Sequence, residues 1–332
     1  MRALSIPKSL SLFHSDALQR LLAFGALTLM FIFFSLASPN FFQVNNIIGI
    51  LIATAVNGVL ALGVTYVIIT AGIDLSIGTV MTLSSVMTGV FITLWRFPVP
   101  LGVLAGLLTG AICGFANGII IAKLKIPPFI ATLGMLNVAK GLSLVISGMK
   151  PIYFNDTPVF NTIAMGTLLD FNFLVPGLRI PNAVLILFIA AIVASLILNR
   201  TVLGRYTFAL GSNEEATRLS GVNAGRWKIV VYTLTGIFSG LAGVLIASRL
   251  NSAQPALGYG YELEAIAAAV IGGTSLSGGE GTILGTIIGA FIISTLTNGL
   301  RIMSVPQEWQ TVVTGGIIIL AVYLDIVRRR RQ

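Results

Sequence analysis

The stretch "IIGILIATAVNGVLALGVTYVIITAGIDLSIGTVMTLSSVMTGVFITLW", residues 47–95, holds a single charged side chain, Asp74. Each half is about as long as a helix must be to cross a hydrocarbon core, roughly 20 residues at 1.5 Å per residue. Lipid offers the backbone no hydrogen-bond partners, so apolar runs of this length read as helices. Between the halves lies "AGIDLSIGT", residues 71–79, where glycine and small polar residues interrupt the apolar pattern.

The rest of the chain repeats the apolar pattern. Hydrophobic residues make up 56% of 332 and charged residues 9%, and the mean hydropathy is +0.97. A soluble domain averages about 25% charged residues, so this chain could not keep a wetted surface in water. The expected fold is all-α and polytopic, with about ten transmembrane helices near 21–37, 47–71, 77–95, 101–122, 129–147, 182–198, 229–250, 262–276, 282–300 and 309–324. One membrane domain, 21–325, is flanked by an N-terminal tail, 1–20, and a basic tail, 326–332. "FSLASPN" after the first run looks like a cleavage site, but that run exceeds the usual apolar core of a signal peptide and reads as an uncleaved first helix.

Positive charge orients the spans. With alternating crossings and a cytoplasmic N-terminus, Arg2, Lys8, Arg20, Lys123, Lys125, Arg200, Arg205, Arg218, Arg226, Lys228 and Arg328–Arg331 share the cytoplasmic side. Only Arg96, Lys150, Arg179, Arg249 and Arg301 fall opposite, and Lys140 lies inside a span. That asymmetry is the positive-inside rule, and it places both termini in the cytoplasm. The net charge of +9 is thereby a topology signal, and nucleic acid is not an expected partner.

Glycine sets the packing. In "GVLAGLLTGAICGFANG", residues 102–118, glycines recur every fourth residue and line one side of a helix, opening a groove for close backbone approach. Gly236/Gly240 and Gly281/Gly285/Gly289 repeat the spacing. Cys113 lies mid-span and reads as a small hydrophobe. His14 is assigned to the polar tail, without a metal or catalytic role.

A second break, "IGGTSLSGGEGT" (271–282), resembles the first in outline. Asp74 or Ser76 is expected to cap the helix after the first break. Two readings fit both breaks: broken helices bordering a transport path, or ordinary cytoplasmic turns. The path candidates are Asn57, Asp74, Ser76, Asn137, Thr274, Ser275 and Ser277, since hydroxyl, amide and acid groups can hold a polyhydroxylated solute. Interhelical hydrogen bonding is the plainer use of such groups. Arg249, Glu262 and Glu264 flank the external loop 251–264 and read as solvated charges, with a salt bridge or gate latch as the alternative.

The longest cytoplasmic loop, 199–228, contains "GSNEEATRLSGV" (211–222). Ser212 and Glu215 fit an S-x-x-E capping box. Glu214 and Arg218 stand four apart in the favourable order, and Gly221 suits a left-handed helix end. Leu219 and Val222 give a small apolar edge. The expectation is a short extramembrane helix that docks a cytoplasmic partner through Ser212, Asn213, Glu214, Glu215, Arg218, Leu219 and Gly221. The sequence contains no G-x-x-x-x-G-K-[ST] loop and no clustered His/Cys metal motif, so catalysis is not expected of this chain.

Five stretches carry a family resemblance: "SPNFFQVNNI" (38–47), "GIDLSIG" (72–78), "PPFIATLGML" (127–136), "LGRYTFALGSNEEATRLSGVN" (203–223) and "SAQPALGYGYELEAIAAAVIGGTSLSGGEGT" (252–282). On these the chain resembles the membrane permease subunits of bacterial ATP-binding cassette importers for monosaccharides, most closely the ribose-importing members. The resemblance implies a subunit of the inner membrane that forms the pathway for a ribose-like pentose or related sugar. It also implies a second permease copy or relative, a periplasmic sugar-binding protein, and a cytoplasmic ATPase that alone binds ATP and magnesium. Autoinducer-2 or sugar-alcohol import is the variant within the family. An ion-coupled secondary transporter of a small polar solute is the alternative outside it.

Overall fold

The computed structural model describes residues 16–173 and 176–329; His14, with the rest of 1–15, and the last three residues of the basic tail lie outside the described residues. The described residues form thirteen helices: α1 (Asp16–Ala37), α2 (Val44–Ile69), α3 (Ile77–Gly89), α4 (Val99–Ala122), α5 (Pro128–Ile146), α6 (Pro158–Met165), α7 (Asn182–Arg200), α8 (Val202–Ser212), α9 (Glu214–Leu219), α10 (Ala224–Leu250), α11 (Tyr261–Ile271), α12 (Ile283–Ile302) and α13 (Gln307–Arg329). A π-helical turn, Val90–Leu94, extends α3. Among the described residues, seven helical segments are long and apolar enough to cross a membrane: Val44–Ile69, Ile77–Leu94, Val99–Ala122, Pro128–Ser147, Asn182–Arg200, Ala224–Leu250 and Ile283–Ile302. The chain is a multi-pass membrane protein.

The core forms around α2 and α10. Every residue of α2 from Thr54 to Ile69 is buried, including Tyr66, so α2 has no lipid-facing stripe over this length. The glycine groove of α4 receives α10. A Cβ on Gly110 would strike the carbonyl of Gly236 and lie 2.8 Å from the nitrogen of Gly240, and one on Gly118 would lie 2.6 Å from the Cα of Ile229. Only glycine permits that approach. Gly285 and Gly289 likewise bring α12 against Gly272 and Ala268 at the end of α11. Cys113 is buried beside Val80, Leu83 and Ala139, as expected of a small hydrophobe.

At one end of the bundle, β1 (Ile152–Tyr153) pairs antiparallel with β4 (Ser252–Ala253), and β2 (Leu169–Asp170) pairs with β3 (Arg179–Ile180). The β1–β4 pair ties the loop after α5 to the loop after α10, so both lie at the same end.

The span expected at 262–276 is corrected. α11 ends at Ile271, and its 11 residues rise about 16 Å, half of what a membrane requires. Gly272 and Gly273, the latter at φ +92°, stop it. Ahead of it runs a segment of successive turns, 254–260, in which Gly258 abuts the carbonyl of Gly78 and the hydroxyl of Thr82 on α3. The chain enters the bundle as a strap and turns helical only at Tyr261.

Candidate functional site: an inner junction and a mid-helix polar cluster

The loop 199–228 holds two helices where one was expected. Thr201 starts α8, accepting from Gly204 N, and α8 runs to Ser212. α9 follows at once with Asn213 as its N-cap, its side-chain oxygen 2.9 Å from Ala216 N. The expected Ser212/Glu215 capping box is therefore displaced by one residue, because Ser212 is still helical in α8. The expected Glu214–Arg218 pair is replaced too: Glu214 bonds Lys228 at the foot of α10, 2.7 Å away. Gly221 does take the left-handed conformation, at φ +84°. Thr217 points inward and bonds the carbonyl of Ala209, fixing α9 on α8. Leu219 is 79% exposed, an apolar side chain with no intrachain cover.

The end of α8 meets both breaks. Gly279 N donates to Ile69 O at 2.9 Å, joining the end of α2 to the second break. Gly211 fits into that contact: a Cβ there would strike Ile69 O and lie 2.5 Å from Gly279 N. Gly278, at φ +82°, packs on Ala71 and on the carbonyl of Gly211, and Ser212 Oγ lies against Gly279. Three chain segments thus touch backbone to backbone. A cavity of about 380 Å³ opens beside them, lined by Thr70, Gly72, Gly211, Asn213 and Tyr232 among others.

In the first break, Asp74 is 2% exposed and Ser76 1%. Asp74 Oδ1 accepts from Ser76 N at 2.8 Å and from Ser76 Oγ at 2.6 Å. Ser76 is the N-cap position of α3, but its own side chain makes no cap bond; Asp74 braces the turn ahead of the helix through Ser76 and reaches no first-turn amide. Asn117 of α4 donates to Ser76 Oγ at 3.0 Å, and Tyr232 of α10 donates to Ile73 O at 3.3 Å. The break is pinned to two neighbouring helices. The second break closes as a turn: Ser275 N donates to Glu280 O at 3.1 Å, Gly278 N to Ser275 O at 2.9 Å, and Ser277 N to Ser275 Oγ at 3.3 Å. Thr274 is fully buried, with Oγ1 unpartnered among the described residues.

Asn57 belongs to a different cluster, which the sequence did not reveal. It stands halfway along α2 and donates to Glu264 in the first turn of α11, while its Oδ1 has no partner among the described residues. The hydroxyls of Thr65 and Thr286 share a hydrogen bond at 2.8 Å between α2 and α12. Eight residues back along α2 is Asn57, and eight forward along antiparallel α12 is Ser294, so the two share a level. Ser294 Oγ and, one turn on, Asn298 Oδ1 are also buried without partners. Arg301 lies within electrostatic reach of Glu264. Glu262 is 4% exposed and accepts from Gly260 N at 3.1 Å. The expectation of solvated charges for Glu262 and Glu264 is corrected: the strap carries both into the bundle. Asn137 joins neither cluster, being exposed on α5 and bonded to Leu133 O of its own helix. Lys140 lies over the Tyr259 ring, 5.2 Å from its centroid.

Residues 46–322 match the family model described as branched-chain amino acid transport system / permease component. The chain belongs to this family. The permease is 41% identical over 303 residues to the ribose import permease protein of Escherichia coli (strain K12), covering 90% of this chain and 91% of that one. It is 42% identical over 315 residues to the ribose import permease protein of Bacillus subtilis (strain 168), covering 94% of each. With the fructose import permease protein of Rhizobium meliloti it shares 38% identity over 289 residues, 86% of this chain and 79% of that one. No solved structure matches the permease.

Proposed function

We propose that this permease forms the path of a monosaccharide, ribose or a related sugar, across the bacterial inner membrane as one subunit of an ATP-binding cassette importer. A periplasmic binding protein delivers the sugar, a second permease copy or relative completes the path, and ATP is hydrolysed on a separate cytoplasmic subunit. The names of the relatives support the sugar. α1 and α13 add crossings to the seven apolar segments, and the strap plus α11 counts as a broken one. That gives ten traversals with both termini cytoplasmic and puts α8 and α9 on the side where ATP is found.

The observation that carries the mechanism is the junction of Ile69, Gly211 and Gly279. The ATPase docks on α9 through exposed Leu219, with Ser212, Asn213, Glu214, Glu215, Arg218 and Gly221 shaping the foothold. Movement of α9 passes through α8 into both breaks, which carry Asp74, Ser76, Thr274, Ser275 and Ser277, and so to the helices that the breaks join. The sugar meets the Asn57–Glu264–Ser294 level, whose unpartnered oxygens suit a hydroxylated solute. Leu219→Pro breaks α9, and we expect it to insert normally yet abolish ATP-dependent sugar uptake in proteoliposomes carrying the whole importer. Uptake at the wild-type rate would refute coupling through α9.

A further inference from the structure

We propose that the large cavity at the basic end of the bundle binds the headgroup of an anionic phospholipid from the adjoining leaflet. The cavity, about 1300 Å³, lies between the turn joining α4 to α5, the α9 helix and the foot of α10. Its rim carries Lys123, Lys125, Arg218, Arg226 and Lys228 against Glu214 and Glu215. The Glu214–Lys228 bridge removes one charge of each sign, leaving four cations against a single acid. Lys123, Lys125 and Arg226 are all exposed, and among the described residues none of them forms an ion pair: the salt bridges there are Arg179–Asp170 and Lys228–Glu214. A surplus of positive charge in a pocket between helices at a membrane surface is what a phosphate-bearing headgroup requires.

The walls argue for a lipid over a soluble anion. Phe115, Ile126, Pro127 and Ile229 line the cavity below the cations. Phe115 is also the last member of an exposed apolar strip along α4: Leu104 49%, Leu108 50%, Ile112 65% and Phe115 49% exposed. Their spacing places them on one face, so the bilayer-facing strip runs directly into the cavity. A headgroup held by Lys123, Lys125 and Arg226 would lay its acyl chains along that strip.

The test uses the purified full chain in phosphatidylcholine nanodiscs doped with spin-labelled phosphatidylglycerol, read as the immobilised lipid fraction. Wild type should immobilise phosphatidylglycerol in preference to labelled phosphatidylcholine. Each neutralised cation should cost roughly fivefold in that preference, so Lys123→Gln with Lys125→Gln and Arg226→Gln should cost about a hundredfold. The Lys123→Arg, Lys125→Arg, Arg226→Lys combination should keep the preference, and so should Lys150→Gln with Arg179→Gln at the other end. If the triple variant does not yield a monodisperse protein, Lys123→Gln and Lys125→Gln singly should each show the fivefold loss. Undiminished preference in the neutralised variants overturns the proposal. Release of the lipid by millimolar inorganic phosphate would overturn it in favour of a soluble-anion site.

Discussion

Gly211→Ala tests the inner junction with one added methyl group. Its Cβ would strike Ile69 O and sit 2.5 Å from Gly279 N and 2.9 Å from the carbonyl carbon of Ile69. All three neighbours are backbone, so no rotamer change relieves the clash, and Gly279 must retreat by roughly an ångström to reach ordinary contact. Overpacking of this kind costs about 1–3 kcal/mol. The 2.9 Å bond from Gly279 N to Ile69 O is lost in the retreat, adding about 0.5–1.5 kcal/mol. Together these destabilise the permease by about 2–4 kcal/mol. On the scale of 2–4 °C per kcal/mol for domains of 150–250 residues, the thermal midpoint in detergent should fall by about 5–15 °C. Gly134→Ala is the control: a Cβ there meets nothing within 4 Å, and alanine is the better helix former by about 1 kcal/mol, so its midpoint should hold or rise. In proteoliposomes Gly211→Ala should lose sugar uptake while ATP hydrolysis persists. A Gly211→Ala permease with wild-type midpoint and uptake would show that the contact is not tight and that the junction carries no motion.

Three further outcomes follow from named contacts. Asn213→Ala removes the α9 cap and should cost about 1 kcal/mol of local helix stability, read as faster amide exchange at Ala216. Asp74→Ala deprives Ser76 of its buried acceptor and should destabilise by about 2–3 kcal/mol, whereas Asp74→Asn keeps an oxygen there and should recover most of it; equal midpoints for the two would refute the bracing of the turn by Asp74. Glu264→Leu should abolish uptake without reducing membrane insertion, and Glu264→Gln should retain part of it, since an amide still accepts from Asn57; full uptake by Glu264→Leu would remove that level from the path.

Legibility from sequence followed the range of the interaction. The glycine groove was readable because i, i+4 spacing is a local signal and only a close partner rewards it; α10 is that partner. Gly221 was readable because its left-handed turn is a property of one residue. The α9 cap was misplaced by one position because Ser212 and Asn213 are both good caps, and the choice depends on α8 continuing through Ser212. The strap at 254–260 was missed since its polar, glycine-rich composition is that of any external loop; only Gly258 against Gly78 shows that it is inside. Asn57 and Asn137 carry the same chemistry, yet one is buried opposite α11 and α12 and the other faces out from α5. No one-dimensional pattern separates them.

The meeting of Ile69, Gly211 and Gly279 has a mechanical corollary. Leucine contacts absorb small displacements by hopping between rotamers, but peptide groups pressed on peptide groups have no such slack. A push on α8 would arrive at α2 and at the α11–α12 turn undamped and simultaneously, making this spot a rigid clutch plate whose timing is set by geometry alone.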